Sequence, residues 1–338
     1  MVQQGRHHGG RVMKAAVLQR PGELTLEERP VPETVDGDLL VKVRAASICG
    51  TDLRIHAHGH FKNDGPRVLG HELVGEVVGT GERVTVAPNV GCGHCAMCRD
   101  GFNQMCPDYE AFGVTMDGGF QEYMRIPARA LGNVFAVPAQ VSDADASLVE
   151  PLSCCLSGQR KVTVTAEDRV LIIGDGPIGA FHALLARVAG AREVIVSGHN
   201  DERLEAIDAD VRINSREQDL SAAAQDVDVA IVAVSSAEAQ QQAVELLAPH
   251  GRLNFFSGLG KARGVEIDSN RVHYKALTLT GTTGSSNGDY TRALELVASG
   301  RASLSPLVSG TFALEEIGAA LDHARSRAGM KAMVVMET

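Results

Sequence analysis

Cys92, Cys95, Cys98 and Cys106 stand in a C-x2-C-x2-C-x7-C pattern within "GCGHCAMCRDGFNQMC", residues 91–106, and are four of the chain's seven cysteines. Four thiolates complete a tetrahedral zinc shell, and a complete shell has no position left for water or substrate. The spacing therefore predicts a structural zinc that pins a lobe. An iron–sulfur cluster and a redox disulfide system are the competing uses of such a cluster. In the zinc reading, catalysis belongs elsewhere in the chain.

Three further stretches carry residues of the right type: "SICGTD" with Cys49 and Thr51, "LGHELVGEV" with His71 and Glu72, and "SLVEPLSCC" with Glu150. A catalytic zinc takes cysteine, histidine and carboxylate ligands and keeps one position open. Singly, each residue has an ordinary explanation. Cys49 reads as a small buried hydrophobe, His71 as a satisfied core histidine and Glu150 as a surface carboxylate. Only as a set do they point to a metal.

"GDGPIG" supplies a different chemistry. Gly174, Gly176 and Gly179 have G-x-G-x-x-G spacing, directly after the apolar run "VLII" and before a helical stretch. In a dinucleotide fold the first glycine permits the tight turn, the second lets backbone approach a pyrophosphate, and the third packs helix on strand. Pro177 and Ile178 then open a helix whose free N–H groups attract phosphate. The alternative is a glycine turn with no ligand. NAD-binding folds normally carry Asp or Glu about 20 residues farther on, to accept hydrogen bonds from the adenosine ribose. Here that place holds Gly198. With no carboxylate there, and with Ser197, His199, Asn200 and Arg203 nearby as donors, the expectation is dual use, NADP at least as good as NAD. Asp201 and Glu202 pull the local charge the other way, and the competing reading is that Gly198 merely turns the strand.

These residues need two kinds of scaffold. From Met13 to about Ala146, short alternating runs such as "DLLVKVRAASI" and "ERVTVAP", rich in Gly and Pro turns, predict an irregular antiparallel barrel. From about Arg169, the runs "RVLIIG", "EVIVSG", "VDVAIVAV" and "RLNFFSG" alternate with helical stretches such as "PIGAFHALLARVAG" and "SAEAQQQAVELLAPH". That alternation predicts a parallel sheet with crossover helices, hence an α/β fold. The closing "MKAMVVME" is assigned back to the first domain. The expected organisation is a disordered extension over 1–12, a β-rich catalytic domain over 13–150 and 286–338, and a Rossmann dinucleotide-binding domain over 151–285.

Composition narrows the partners. The formal net charge is −10 and no Lys/Arg cluster tracks a phosphate backbone, which argues against nucleic acid. No apolar run approaches the roughly 20 residues of a membrane span, and the start lacks a signal-peptide core, so a cytoplasmic protein is expected.

Taken in order, "CGTD", "GHE", the four-cysteine lobe, "DGGFQEYMRIP", "EPL" and "GDGPIG" resemble the zinc-dependent medium-chain dehydrogenases, from about Met13 onward. The resemblance implies a GroES-like catalytic domain with a doubly wound Rossmann domain inserted before its last segment. The Glu of "VEPL" is similar to the sorbitol (polyol) and threonine dehydrogenase branch. It implies two zinc ions per chain. Cys49 and His71 would be direct ligands of the catalytic one, with Glu72 and Glu150 completing the shell directly or through water, and Thr51 would start the proton relay. Where several relatives have a relay histidine three residues after the threonine, this chain has Arg54; His56, His58 and His60 lie close by. Cys154 and Cys155 match no ligand position and read as buried thiols. The implied activity is reversible hydride transfer between NAD(P) and a secondary alcohol of polyol, sugar-alcohol or cyclitol type, with hydroxy amino acids and simple secondary alcohols as alternatives. The implied assembly is a homodimer or homotetramer, pairing through "HYKALTLTGTTG". A non-enzymatic zinc-binding interaction module and a zinc-free NADPH-dependent reductase are the rival readings.

Overall fold

A computed structural model describes residues 10–62, 65–260 and 264–337. The expected disordered extension falls mostly on residues 1–9, outside the described residues, and Val12 already opens the first strand, Val12–Arg20. Contacts divide the chain into Met1–Glu150 with Ser285–Thr338, and Pro151–Gly284. Among the described residues no helix is long and apolar enough to cross a membrane.

The first unit is built on strands that are buried over much of their length, as in Leu39–Ser47 and Glu72–Val77. Leu39–Ser47 is central: it pairs antiparallel with Glu72–Val77, with Tyr123–Ile126 and with Lys331–Val335. One departure from an all-antiparallel arrangement is the late pair Val308–Ala313 and Lys331–Val335, which runs parallel. Val41, Val43, Leu69, Leu73, Phe120 and Met124 are fully buried in the core beneath these strands. Asp145 ties early and late segments together. Its backbone N–H donates to the Ser142 cap at 3.0 Å, while its Oδ1 accepts from Leu304 N at 2.7 Å and Ser305 N at 2.8 Å.

The second unit is a six-stranded parallel sheet. Its order is Val211–Asn214, Glu193–Gly198, Arg169–Ile173, Val227–Val232, Leu247–Phe255, Thr278–Gly281. Numbered along the chain this is 3-2-1-4-5-6, the order of a doubly wound dinucleotide-binding sheet, whose ligands lie beyond the carboxyl ends of the strands. One expected boundary is corrected. The helix expected to run through "LLAPH" ends at Leu246, and the strand begins at Leu247. Pro249 lacks the amide a helix needs and disfavours helical backbone at Ala248.

Candidate active site

Two short segments deliver the first cluster. Cys49 caps the helix Gly50–His58, and its amide donates to Asp52 Oδ2 at 2.9 Å, so the "CGTD" turn is closed by its own aspartate. Asp52 is fully buried; its Oδ1 accepts from Gly70 N at 3.2 Å, which fastens the turn to the residue before His71. Gly118 and Gly119 of "DGGF" donate their amides to Val68 O at 2.8 Å and Gly70 O at 2.7 Å, holding that approach from the other side. The result is that a sulfur of Cys49, a ring nitrogen of His71 and a carboxylate oxygen of Glu72 lie within 4.8 Å of one another.

The electrostatics of this cluster suit a cation. Burial works against a charge on His71, but Asp52 and Cys49 outweigh it and hold the ring's pKa well above the ordinary histidine value. His71 Nδ1 is 3.4 Å from Asp52 Oδ1 yet meets no partner in hydrogen-bonding geometry, and Glu72 Oε1 is likewise buried without one. A thiol, a histidine ring nitrogen and a carboxylate with one buried oxygen left without a partner are the donor set of a catalytic zinc, so the residues fit that ion. The other oxygen of Glu72, Oε2, is engaged by Ser47 Oγ and by the ammonium of Lys331, which also donates to Ile48 O at 2.8 Å. Burial opposes the Lys331 charge, but Glu72 and Cys49 raise its pKa, so it stays protonated.

Glu150 is placed differently. It is buried in the first turn of the helix Val149–Val162, but its carboxylate is not among the atoms that meet within that distance. Thr51 is half-buried on the first turn of the Cys49 helix, and Arg54 on the same helix is exposed. Burial, then Arg54 and Lys62, lower the His60 pKa; burial and Arg325 lower that of His56. Both rings are therefore neutral at pH 7. Sequence reasoning passed over Ser47, Asp52 and Lys331; the one visible signal was a lysine inside the apolar run "MKAMVV".

Cys92, Cys95, Cys98 and Cys106 also converge, their sulfurs all within 4.8 Å of one another. Cys95 Sγ is 3.8 Å from Cys106 Sγ. Four thiolates at about 2.3 Å from a tetrahedral zinc would stand about 3.8 Å apart, so the cage has the size of that ion. The backbone of the loop turns inward: Cys92 N donates to Cys106 Sγ at 3.3 Å, Cys95 N to Cys92 Sγ and Cys98 N to Cys95 Sγ, both at 3.4 Å. Amides of His94 and Cys95 pull the Cys92 thiol down to about 6, while desolvation and neighbouring thiols push Cys98 up to about 12. Four adjacent sulfurs cannot all be thiolates without a cation among them. Cys155 is the buried thiol expected, with its Sγ 3.8 Å from Ile178 O, whereas Cys154 is only half-buried; neither belongs to either cluster.

The glycine loop follows the strand Arg169–Ile173. Gly174 has φ 136°, open only to glycine, and Gly176 caps the helix Pro177–Ala189 with Pro177 in its first turn. A Cβ on Gly179 would lie 1.8 Å from the Gly174 carbonyl oxygen. Gly179→Ala must push the helix off the strand; we expect NADH affinity to fall at least about tenfold with a lower Tm, and a change under twofold in a fluorescence titration would disprove the close-packing argument. Beyond the second strand, Asn200 caps Asp201–Glu205, its Oδ1 accepting from Arg203 N at 3.0 Å. Arg203 is buried, its Nη1 3.9 Å from where Gly176 would carry a Cβ, so its guanidinium lies beside the glycine loop. Ser197 is buried in the sheet and offers no phosphate contact.

The comparisons agree with this geometry. Residues 35–139 match the alcohol dehydrogenase GroES-like domain, and residues 177–299 the zinc-binding dehydrogenase domain. The chain is 36% identical over 296 residues to an L-threonine 3-dehydrogenase of Chelativorans sp., covering 81% of this chain and 84% of that protein. It is 30% identical over 334 residues to a sorbitol dehydrogenase of Bacillus subtilis, covering 92% and 93%. A solved zinc-binding dehydrogenase of Sinorhizobium meliloti, bound to NADP, superposes with a TM-score of 0.90 at 30% identity, covering 96% of this chain and 99% of its own. A GroES-like unit with a cysteine–histidine–glutamate cluster, a four-cysteine lobe and a 3-2-1-4-5-6 sheet headed by a glycine loop thus come together in one chain, which belongs to the zinc-dependent medium-chain dehydrogenases, oxidoreductases that act on CH–OH groups with zinc and a nicotinamide cofactor.

Proposed function

We propose that this chain interconverts a secondary alcohol and its ketone with NAD(P), with a polyol, sugar alcohol or cyclitol as the substrate class and two zinc ions per chain. The observation that carries the reading is the meeting of Cys49, His71 and Glu72 donor atoms within 4.8 Å. The relatives named for threonine and for sorbitol support a substrate with neighbouring polar groups, and hydroxy amino acids are the alternative class. A spectrophotometric panel of polyols, cyclitols, threonine and simple secondary alcohols, each with NAD and NADP, tests the class. No turnover on any of them would reject it.

In this reading Cys49 and His71 hold the catalytic ion, and Asp52, which closes the turn and approaches His71, orients the ring. Glu72 and Glu150 complete the shell directly or through water. When bound there, zinc supplies Lewis acidity to the substrate hydroxyl and so lowers its pKa. Thr51 takes the hydroxyl proton and passes it outward. Thr51→Ala should lower turnover by about 100-fold at neutral pH while Thr51→Ser stays active, the scale of lost acid–base assistance. Equal activity of the two variants would remove Thr51 from the relay.

Cys92, Cys95, Cys98 and Cys106 hold the second zinc in a structural role, and the glycine loop with Gly198, His199, Asn200 and Arg203 frames the dinucleotide. The expectation that NADP serves at least as well as NAD rested on the glycine at 198. The space a side chain at 198 would need is taken by Asp175. A cytoplasmic homodimer or homotetramer remains the proposed assembly, which light scattering would check.

A further inference from the structure

The second strand of the dinucleotide sheet ends at Gly198, and there is no room for a side chain there. A Cβ at 198 would lie 2.3 Å from Asp175 Cβ and 2.4 Å from Asp175 Oδ2. Asp175 is the residue between the first two glycines of "GDGPIG". From the loop it leans over the strand end, and its Oδ2 accepts from His199 N at 2.6 Å and Asn200 N at 2.9 Å. Both amides use the same oxygen, so neither engages Oδ1.

In a dinucleotide fold the group at the end of the second strand faces the adenosine ribose, and a carboxylate there accepts its hydroxyls and repels a 2′-phosphate. This chain does not lack that carboxylate; it brings it from the glycine loop. The same contact removes the seat a phosphate would want. Two backbone amides pointing one way are a ready anion site, and here an internal carboxylate already fills them. The second acid of the corner, Asp201, has its Oδ1 occupied by Asn214 Nδ2 at 2.8 Å.

We propose that Asp175 selects NAD over NADP, accepting the adenosine ribose hydroxyl and excluding the 2′-phosphate, so that glycine at 198 is the space Asp175 needs and not a mark of NADP use. The inference rests on the reading that this loop binds a nicotinamide dinucleotide. By the same geometry, Gly198→Asp on its own would collide with Asp175 instead of adding an NAD contact.

The test is a titration of the purified holoprotein with NADH and NADPH, followed by the fluorescence of the reduced cofactor, which suits a chain without tryptophan. Wild type should bind NADH at least tenfold more tightly than NADPH. Asp175→Asn keeps an oxygen for the two amides and removes the charge; Asp175→Ala removes both. Each should shift the NADH-to-NADPH affinity ratio at least tenfold toward NADPH, chiefly by tighter NADPH binding. The double variant Asp175→Gly with Gly198→Asp returns a carboxylate to the strand end and should return the ratio toward NADH. A wild-type preference below tenfold, or a shift below tenfold in both single variants, overturns the proposal. Should Asp175→Ala not fold, Asp175→Asn decides alone. Wild type binding neither cofactor overturns the dinucleotide reading itself, and that result is distinguishable because it needs no variant.

Discussion

Cys49→Ser should give a folded protein whose turnover is lower by about 1,000-fold or more, and Cys98→Ser should give the opposite pattern. Losing the Lewis acid removes several kcal/mol of transition-state stabilisation, and about 4 kcal/mol is a thousandfold in rate. The fold has no comparable stake in Cys49, since the turn it caps is closed by the Asp52 carboxylate on its backbone amide, which a serine retains. Cys98 stands in a lobe of two-residue strands, Asn89–Val90 and Glu110–Ala111, and a four-residue helix, Ala96–Arg99. Such pieces have little core of their own, and metal binding is then folding free energy. Cys98→Ser should lower Tm by roughly 5 °C or more, or the yield of soluble protein, while the active fraction still turns over. Metal analysis should return two zinc ions per wild-type chain. Active wild type without zinc would sink both halves.

Lys331→Met should be the most destabilising single change near the site, by about 3–5 kcal/mol, because it strands the Glu72 carboxylate in the interior. Glu72 is fully buried and its charge is met by the Lys331 ammonium and the Ser47 hydroxyl. Chemical denaturation of wild type, Lys331→Met, Glu72→Gln and the double variant forms a cycle that isolates the pair. The double variant should recover much of the loss, since removing both charges removes the desolvation they share. A Lys331→Met protein within about 1 kcal/mol of wild type would mean that a proton, or the metal's charge, compensates Glu72 in place of lysine.

Local signals were legible in the sequence and distant ones were not. The four-cysteine lobe, the glycine loop and the "CGTD" turn are each written within a few residues, and their backbones fold much as the spacing implies. Cys49, His71 and Glu72 could be named from their types, and "GHE" places two of them side by side. Glu150 was named with them, but its carboxylate is not among the donor atoms that meet within 4.8 Å, and how near it comes depends on the turn of a helix that no spacing reveals. Lys331 was invisible as a partner for Glu72 since 259 residues separate them. Asp175 was overlooked for another reason. The motif treats the residue between its glycines as free, and only the collision a Cβ at 198 would have with it shows that the two positions share one volume.

The separation of Glu72 from Lys331 also has a consequence for synthesis. The strand Lys331–Val335 lies beyond the whole inserted unit Pro151–Gly284, so a ribosome completes that unit before it makes the lysine. At about 5–20 residues per second, Glu72 waits roughly 13–50 s for its counter-ion. During that interval the nascent first unit lacks the edge that Leu39–Ser47 needs and carries an unneutralised acid at its centre. A translational pause or a premature stop in the last stretch would therefore leave a finished dinucleotide fold attached to an open catalytic one, a natural substrate for chaperones and proteases.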